Sequence, residues 1–125
     1  MATRNQYTLP FWTATLTVST AATSLFTLAT AYFTAARPTE AIDSSATCLF
    51  LTAELGNGAT VIYVGDKTLN GSTTPPGGVG WELVAGQSAA NGGNMTGGAT
   101  TDLNNYYVQA STTVTPYLCV MACRY

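Results

Sequence analysis

Residues Thr13 to Ser19 alternate hydroxylated and apolar side chains with period two, the pattern of a β-strand with one face buried and one wet. The next stretch, Thr20 to Ala36, changes period. Leu25, Leu28 and Tyr32 are spaced for one face of a helix, while the β-branched threonines around them disfavour a long one, so a short helix is expected near residues 24–34. Residues 36–46 carry Pro38, Glu40, Asp43 and paired serines and read as a surface connection. Two β-rich runs follow, Cys48 to Leu55 and Ala59 to Gly65, around Gly56-Asn57-Gly58. Asn-Gly between two such runs predicts a hairpin. A two-residue turn at Asn57-Gly58 would pair Leu51 with Val64 and Ala53 with Ile62, and would leave Phe50 and Glu54 opposite Gly65 and Val61 on the second face. Both faces are then partly apolar, which calls for a core on one side and another sheet or subunit on the other.

Asn70 to Gly80 is rich in turn residues, with Pro75-Pro76 stiffening it and Gly77-Gly78 freeing it. Short strands are expected at Trp81 to Val84, from Gly86 to Ala90, at Tyr106 to Ser111 and at Pro116 to Arg124, with a glycine loop from Asn91 to Thr101. Seven or eight short strands separated by turn signals predict an all-β fold, an antiparallel β-sandwich or jelly-roll-like domain with at most that one helix. The expected organisation is an extended N-terminal arm, residues 1–12, followed by a single β-sandwich domain, residues 13–125.

Composition sharpens this picture. Only 8% of the 125 residues are charged, with four Lys+Arg, six Asp+Glu and a net charge of −2, against roughly 25% charged residues in an average soluble domain. The cations Arg4, Arg37, Lys67 and Arg124 are scattered, which leaves no footprint for nucleic acid or an anionic membrane. No charge lies between Arg4 and Arg37, and the uncharged stretch is long enough to span a bilayer. Eight threonines and two serines between Phe11 and Ala36 interrupt it, so a spanning helix is not expected. Ala29-Thr30-Ala31 has the form of a signal-peptide cleavage site, but the aromatic, proline-containing opening makes a poor n-region.

Enzyme chemistry finds little support. The chain has no histidine, the commonest general base and metal ligand, and no GxxxxGK[ST], GxSxG or CxxC motif. The six carboxylates are spread singly and read as surface charges. No catalytic, cofactor or metal residue is assigned, and no small-molecule substrate is expected. Cys119 and Cys123 lie about 13 Å apart on one strand face, too far to bond each other, and with Cys48 the odd count of three favours thiols over a disulfide framework. Asn70-Gly-Ser72 and Asn94-Met-Thr96 fit the glycosylation pattern, an expected coincidence in a threonine-rich chain. The aromatics, Trp81 among them, suit either a core and subunit contacts or an exposed sugar-binding row.

Three segments carry a family resemblance: Thr60-Val-Ile-Tyr-Val-Gly65-Asp66, then Gly80-Trp-Glu-Leu83-Val-Ala-Gly86-Gln-Ser88, then Asp102-Leu103-Asn-Asn-Tyr106-Tyr-Val108-Gln-Ala110. Their order resembles the small β-sandwich virion proteins of tailed bacteriophages, with a VYVG strand, a GxxLxxG[EQ]S turn and a DLxx[IY]YVx[AG] strand. It covers residues 48–125, and Leu16 to Leu25 is similar to the first strand and turn of such proteins. The long glycine loop and the cysteine-bearing last strand depart from the family pattern. The resemblance implies a non-enzymatic virion structural protein: a capsid decoration or cement protein, or a head or tail accessory. It would be made in the host cytoplasm, associate with itself as a homo-oligomer and contact the major capsid protein or other virion subunits. Expected contact residues are Tyr7, Pro10, Phe11 and Trp12 in the arm, together with Trp81. The alternative function is an extracellular carbohydrate-binding or adhesion module using exposed aromatics.

Overall fold

The structure is a computed structural model that describes residues 7–73, 75–91 and 100–124. Expectations for residues 1–6, for the Tyr7 side chain, for most of the glycine loop and for the Asn94-Met-Thr96 motif fall outside that range.

Strict alternation builds the first sheet. In β2 (Phe11–Thr17) Trp12, Ala14 and Leu16 are buried while Phe11 and the three threonines face out. In β12 (Tyr117–Cys123) Leu118, Val120 and Ala122 point inward, and in β6 (Cys48–Ala53) Leu49, Leu51 and Ala53 do so. With β9 (Ser88–Asn91) they form sheet I, antiparallel throughout, in the order β2-β12-β6-β9. Sheet II has the order β3-β11-β7-β8, built from β3 (Thr23–Ser24), β11 (Tyr107–Ala110), β7 (Ile62–Asn70) and β8 (Gly77–Leu83). Its inward residues Ile62, Val64, Leu83, Val108 and Ala110 join those of sheet I in one hydrophobic core. The fold is an all-β sandwich.

The pairing is nested. Of these eight strands the first pairs with the last (β2 with β12), the second with the seventh (β3 with β11), the third with the sixth (β6 with β9) and the fourth with the fifth (β7 with β8). An antiparallel ribbon rolled up in this way, with consecutive strands crossing between sheets except at the central hairpin, is a jelly roll.

Helix α1 (Leu25–Ala36) forms where the spacing predicts it. Ser24 caps it by accepting the Thr27 N–H at 3.1 Å, which satisfies one of the orphan donors of its first turn. Its inner face, Leu25, Ala29 and Phe33, joins the core, and Phe33 meets Trp12 edge to face at 5.8 Å. Among the described residues four short strands lie outside the jelly roll. β1 (Tyr7–Leu9) runs parallel to β4 (Glu40–Ile42), and β5 (Ser45–Ala46) pairs with β10 (Thr101–Asp102). Residues 7–12, expected in the extended N-terminal arm, are extended and are paired into the domain through β1 and the start of β2. The connection at 36–46 likewise carries two strands.

The predicted hairpin at Asn57-Gly58 does not form. The runs around it lie in different sheets: β6 pairs with β12 and β9, and β7 with β11 and β8. Leu55–Asn57 makes a single 3-10 turn, and Gly58 at φ +63° redirects the chain across the sandwich. Asn57 is buried, and its side-chain amide substitutes for a strand partner. Nδ2 donates to the Tyr117 carbonyl at 2.9 Å and Oδ1 accepts the Tyr117 N–H at 2.9 Å. Asparagine is thus selected here to satisfy the start of β12, not to turn a hairpin. The hairpin of the fold lies one strand further on, where glycines expected in a loop belong to β8. Register shifts fall at Val64/Gly65 and between Gly65 and Asn70. At that bulge the backbones touch so closely that a Cβ on Gly65 would sit 1.8 Å from the Gly78 carbonyl oxygen.

Candidate functional site

Two surfaces stand out once the core is assigned. The first is the outer face of sheet I. Register places Phe50 of β6 opposite Met121 of β12, and Met121 opposite Thr13 of β2. The neighbouring rows hold Phe11 beside Cys123, Thr15-Cys119-Thr52-Ser88, and Thr17 beside Tyr117. None of these outward residues is charged. Phe11 is 55% exposed, Tyr117 47%, Phe50 43% and Met121 42%. At strand spacings the face extends about 20 Å along β2 and about 14 Å across the four strands, a plane of roughly 280 Å² in which Phe11, Phe50, Met121 and Tyr117 are set among hydroxyls and thiols.

Charge is displaced to the periphery. Arg37 pairs with Glu40 and lies over the Phe33 ring at 5.3 Å. Arg124, just beyond β12, pairs with Asp43. The Ser45 backbone N–H, donating at 3.0 Å, is the main cause holding the Asp43 carboxyl below its ordinary 3.8, and the Arg124 guanidinium adds to it against some desolvation. Such exposed pairs contribute little to stability.

The second surface is a groove of about 720 Å³ at the open edge of the sandwich, between β8 of sheet II and the end of β9 of sheet I. Trp81 and Tyr106 stack there, centroids 6.4 Å apart and planes 19° from parallel. Asn91 Nδ2 donates to the Tyr106 hydroxyl. Asp66, Asn105 and Thr101 supply the polar rim, and Gly78 and Gly80 part of the β8 wall. The Thr68 hydroxyl, first, and its N–H hold the Asp66 carboxyl below 3.8 and therefore ionised at neutral pH.

The expected contact residues separate. Phe11 and Pro10 are exposed at the start of β2, beside the uncharged face. Trp12 is 3% exposed, alternation having turned it into the core, so it offers no contact surface. Trp81 is half-buried in the groove, far from an arm role, and stacks on Tyr106, a partner that spacing does not reveal. Phe50 and Met121 complete the face. Their signal was the same period of two that marks the core, read for its outward member. Among the described residues no three Cys, Asp or Glu side chains gather as a metal site, and no helix is long and apolar enough to cross a membrane. The chain is matched by no protein-family model, by no curated protein and by no solved structure, so its geometry stands alone as the ground for a functional reading.

Proposed function

We propose that the protein is a non-enzymatic structural subunit of a virion, a capsid decoration or cement protein of a tailed bacteriophage. In this reading it packs through the outer face of sheet I against the major capsid protein or neighbouring copies of itself. The observation that carries it is the uncharged face itself, with Phe11, Phe50, Met121 and Tyr117 exposed among threonines and cysteines. Covering such a face desolvates no ion, which is the main cost of burying ordinary protein surface. The jelly roll is compatible, since capsid proteins use it, but lectins use it as well and a fold does not assign a function.

Size gives the reading its form. A stable interface takes roughly 800 Å² from each partner, and the sheet face offers under half of that. It suits a contact repeated over a symmetric shell, where many weak attachments act together, better than an obligate dimer.

The test is direct. Purified particles should contain the polypeptide at high copy number, and shells lacking it should rebind the added protein. Introducing Phe50→Lys and Met121→Lys together should abolish rebinding while leaving the fold intact. Absence of the chain from particles, or full occupancy by the double variant, overturns the proposal.

A further inference from the structure

The groove between β8 and β9 is not used by that function, and we propose that it is a binding site for a neutral saccharide. Four features of its wall converge on this ligand class. Trp81 and Tyr106 stack on each other with centroids 6.4 Å apart, which fixes both rings, and the ring surface that half-buried Trp81 keeps toward the groove is of the kind that takes the C–H face of a sugar ring. Around it stand groups that both donate and accept in a plane, the amides of Asn91 and Asn105, together with the Asp66 carboxylate. Asp66 Oδ1 is committed to Thr68, which fixes the carboxylate in place and points to Oδ2 as the acceptor for a hydroxyl.

Charge selects among polyhydroxylated ligands. Among the described residues Asp66 is the one ion that lines the groove, and Lys67, which shares the adjoining recess with Asp66 and Asn105, offsets it, so the site carries no cluster of cations to hold a phosphate or acidic sugar and suits a neutral ligand. The volume, about 720 Å³, lies in the range of small-molecule sites and holds one or two sugar rings.

The wall is also open for a reason distinct from packing. A Cβ at Gly80 would meet only the Val64 carbonyl oxygen at 3.5 Å, an ordinary contact, in contrast to the collisions at Gly65 and Gly78. Glycine is not forced there. What it leaves is bare strand backbone beside Trp81, where a ligand approaches closely.

The experiment titrates the full chain with neutral oligosaccharides of glucose, galactose and N-acetylglucosamine, using sialylated lactose and inorganic phosphate as the anionic comparison. Binding is read by calorimetry and by tryptophan emission. The chain has two tryptophans, and Trp12 is buried, so a change in emission reports Trp81. The expected result is saturable binding of at least one neutral sugar, weakened about tenfold or more by Trp81→Ala and by Asn105→Ala. Asn105 is exposed, so its variant keeps the test alive if Trp81→Ala fails to fold. Binding of none of the neutral sugars overturns the proposal. So does binding confined to the anions, or an affinity that Asn105→Ala and Trp81→Ala both leave unchanged.

Discussion

The two sheets of this sandwich share one core and differ in almost everything they show to the outside. Sheet I is regular: β2, β12 and β6 contain no glycine, pair in continuous register over six or seven residues, and turn out threonine, cysteine and large apolar groups. Sheet II is interrupted. Its β7–β8 hairpin slips register twice, β8 begins Gly77-Gly78-Val79-Gly80, and its outward residues include Asp66, Lys67 and Glu82. A regular uncharged sheet offers a continuous surface for another protein, whereas a bulged, glycine-bearing one leaves a recess at its edge. The same alternation that buries one face thus gives two different surfaces, according to what occupies the outward positions.

The most severe way to break this contrast is to remove the irregularity of sheet II. Gly65→Val places a branched side chain where even a Cβ meets the Gly78 carbonyl at 1.8 Å, and Gly78, at φ +69°, has backbone of Thr68 and Leu69 within 2.7 Å of its own Cβ position. β7 is held between β11 and β8, so relief requires the edge strand β8 to peel away from it. Chemical denaturation should show a loss of about 3 to 5 kcal/mol, the range of severe overpacking and strain. A loss under about 1 kcal/mol would mean that the close approach is relaxed and the groove wall less fixed than described.

Next in size is the junction between the sheets. Asn57→Ala strips the Tyr117 N–H of its partner and leaves the Tyr117 carbonyl with the Glu54 N–H alone, which should destabilise the protein by about 1 to 3 kcal/mol. Denaturant midpoints of the wild type and variant measure it. Asn57→Asp keeps an acceptor for the Tyr117 N–H but sets a buried carboxylate oxygen against the Tyr117 carbonyl, so at neutral pH it should destabilise at least as much as Asn57→Ala and recover as falling pH protonates the carboxyl, an ordering that lost volume alone would not produce.

These two positions also mark how far the sequence could be read. The alternation at Thr13 to Ser19, the helix near 24–34 and the last two strands were legible because each is a local pattern with a local cause. Partnership was not. Asn57-Gly58 carries the strongest hairpin signal in the chain, yet a nested jelly roll joins its first strand to its last, and such pairings between distant segments leave no mark at a turn. Likewise Trp81 was visible as a large aromatic, but Tyr106 reaches it only through the stacking of β11 on β7 and of β7 on β8. Trp12, expected as a contact, is turned into the core although its neighbours Pro10 and Phe11 are exposed. The strand that begins at Phe11 carries the alternation one step further back than the threonines suggested.

Changing the outward residues of sheet I should affect association and leave stability nearly alone. With Phe50→Lys or Met121→Lys, each residue being more than 40% exposed, denaturation should move by about 1 kcal/mol or less. The two face each other across the strands, so in the double variant two like charges oppose and the loss should exceed the sum of the singles by a few tenths of a kcal/mol. Sedimentation or size-exclusion mass should show any self-association of the wild type abolished in both singles. If the mass is unchanged, the face is not where copies meet.

The smallest effect lies at the rim of sheet I. In the folded chain Asp43 has a pKa below 3.8, so its contribution is complete above the unfolded value and is lost as pH falls through the lower folded one. The Ser45 backbone N–H is its first cause and Arg124 a lesser one, so Asp43→Asn should cost more than Arg124→Gln. Both penalties are small, since the pair is partly exposed and screened. Urea midpoints taken from about pH 2 to 7 should show a constant gap between wild type and Asp43→Asn at neutral pH that narrows only below about pH 4. A gap that persists to the acid end would mean that Asp43 acts through packing and not through its charge.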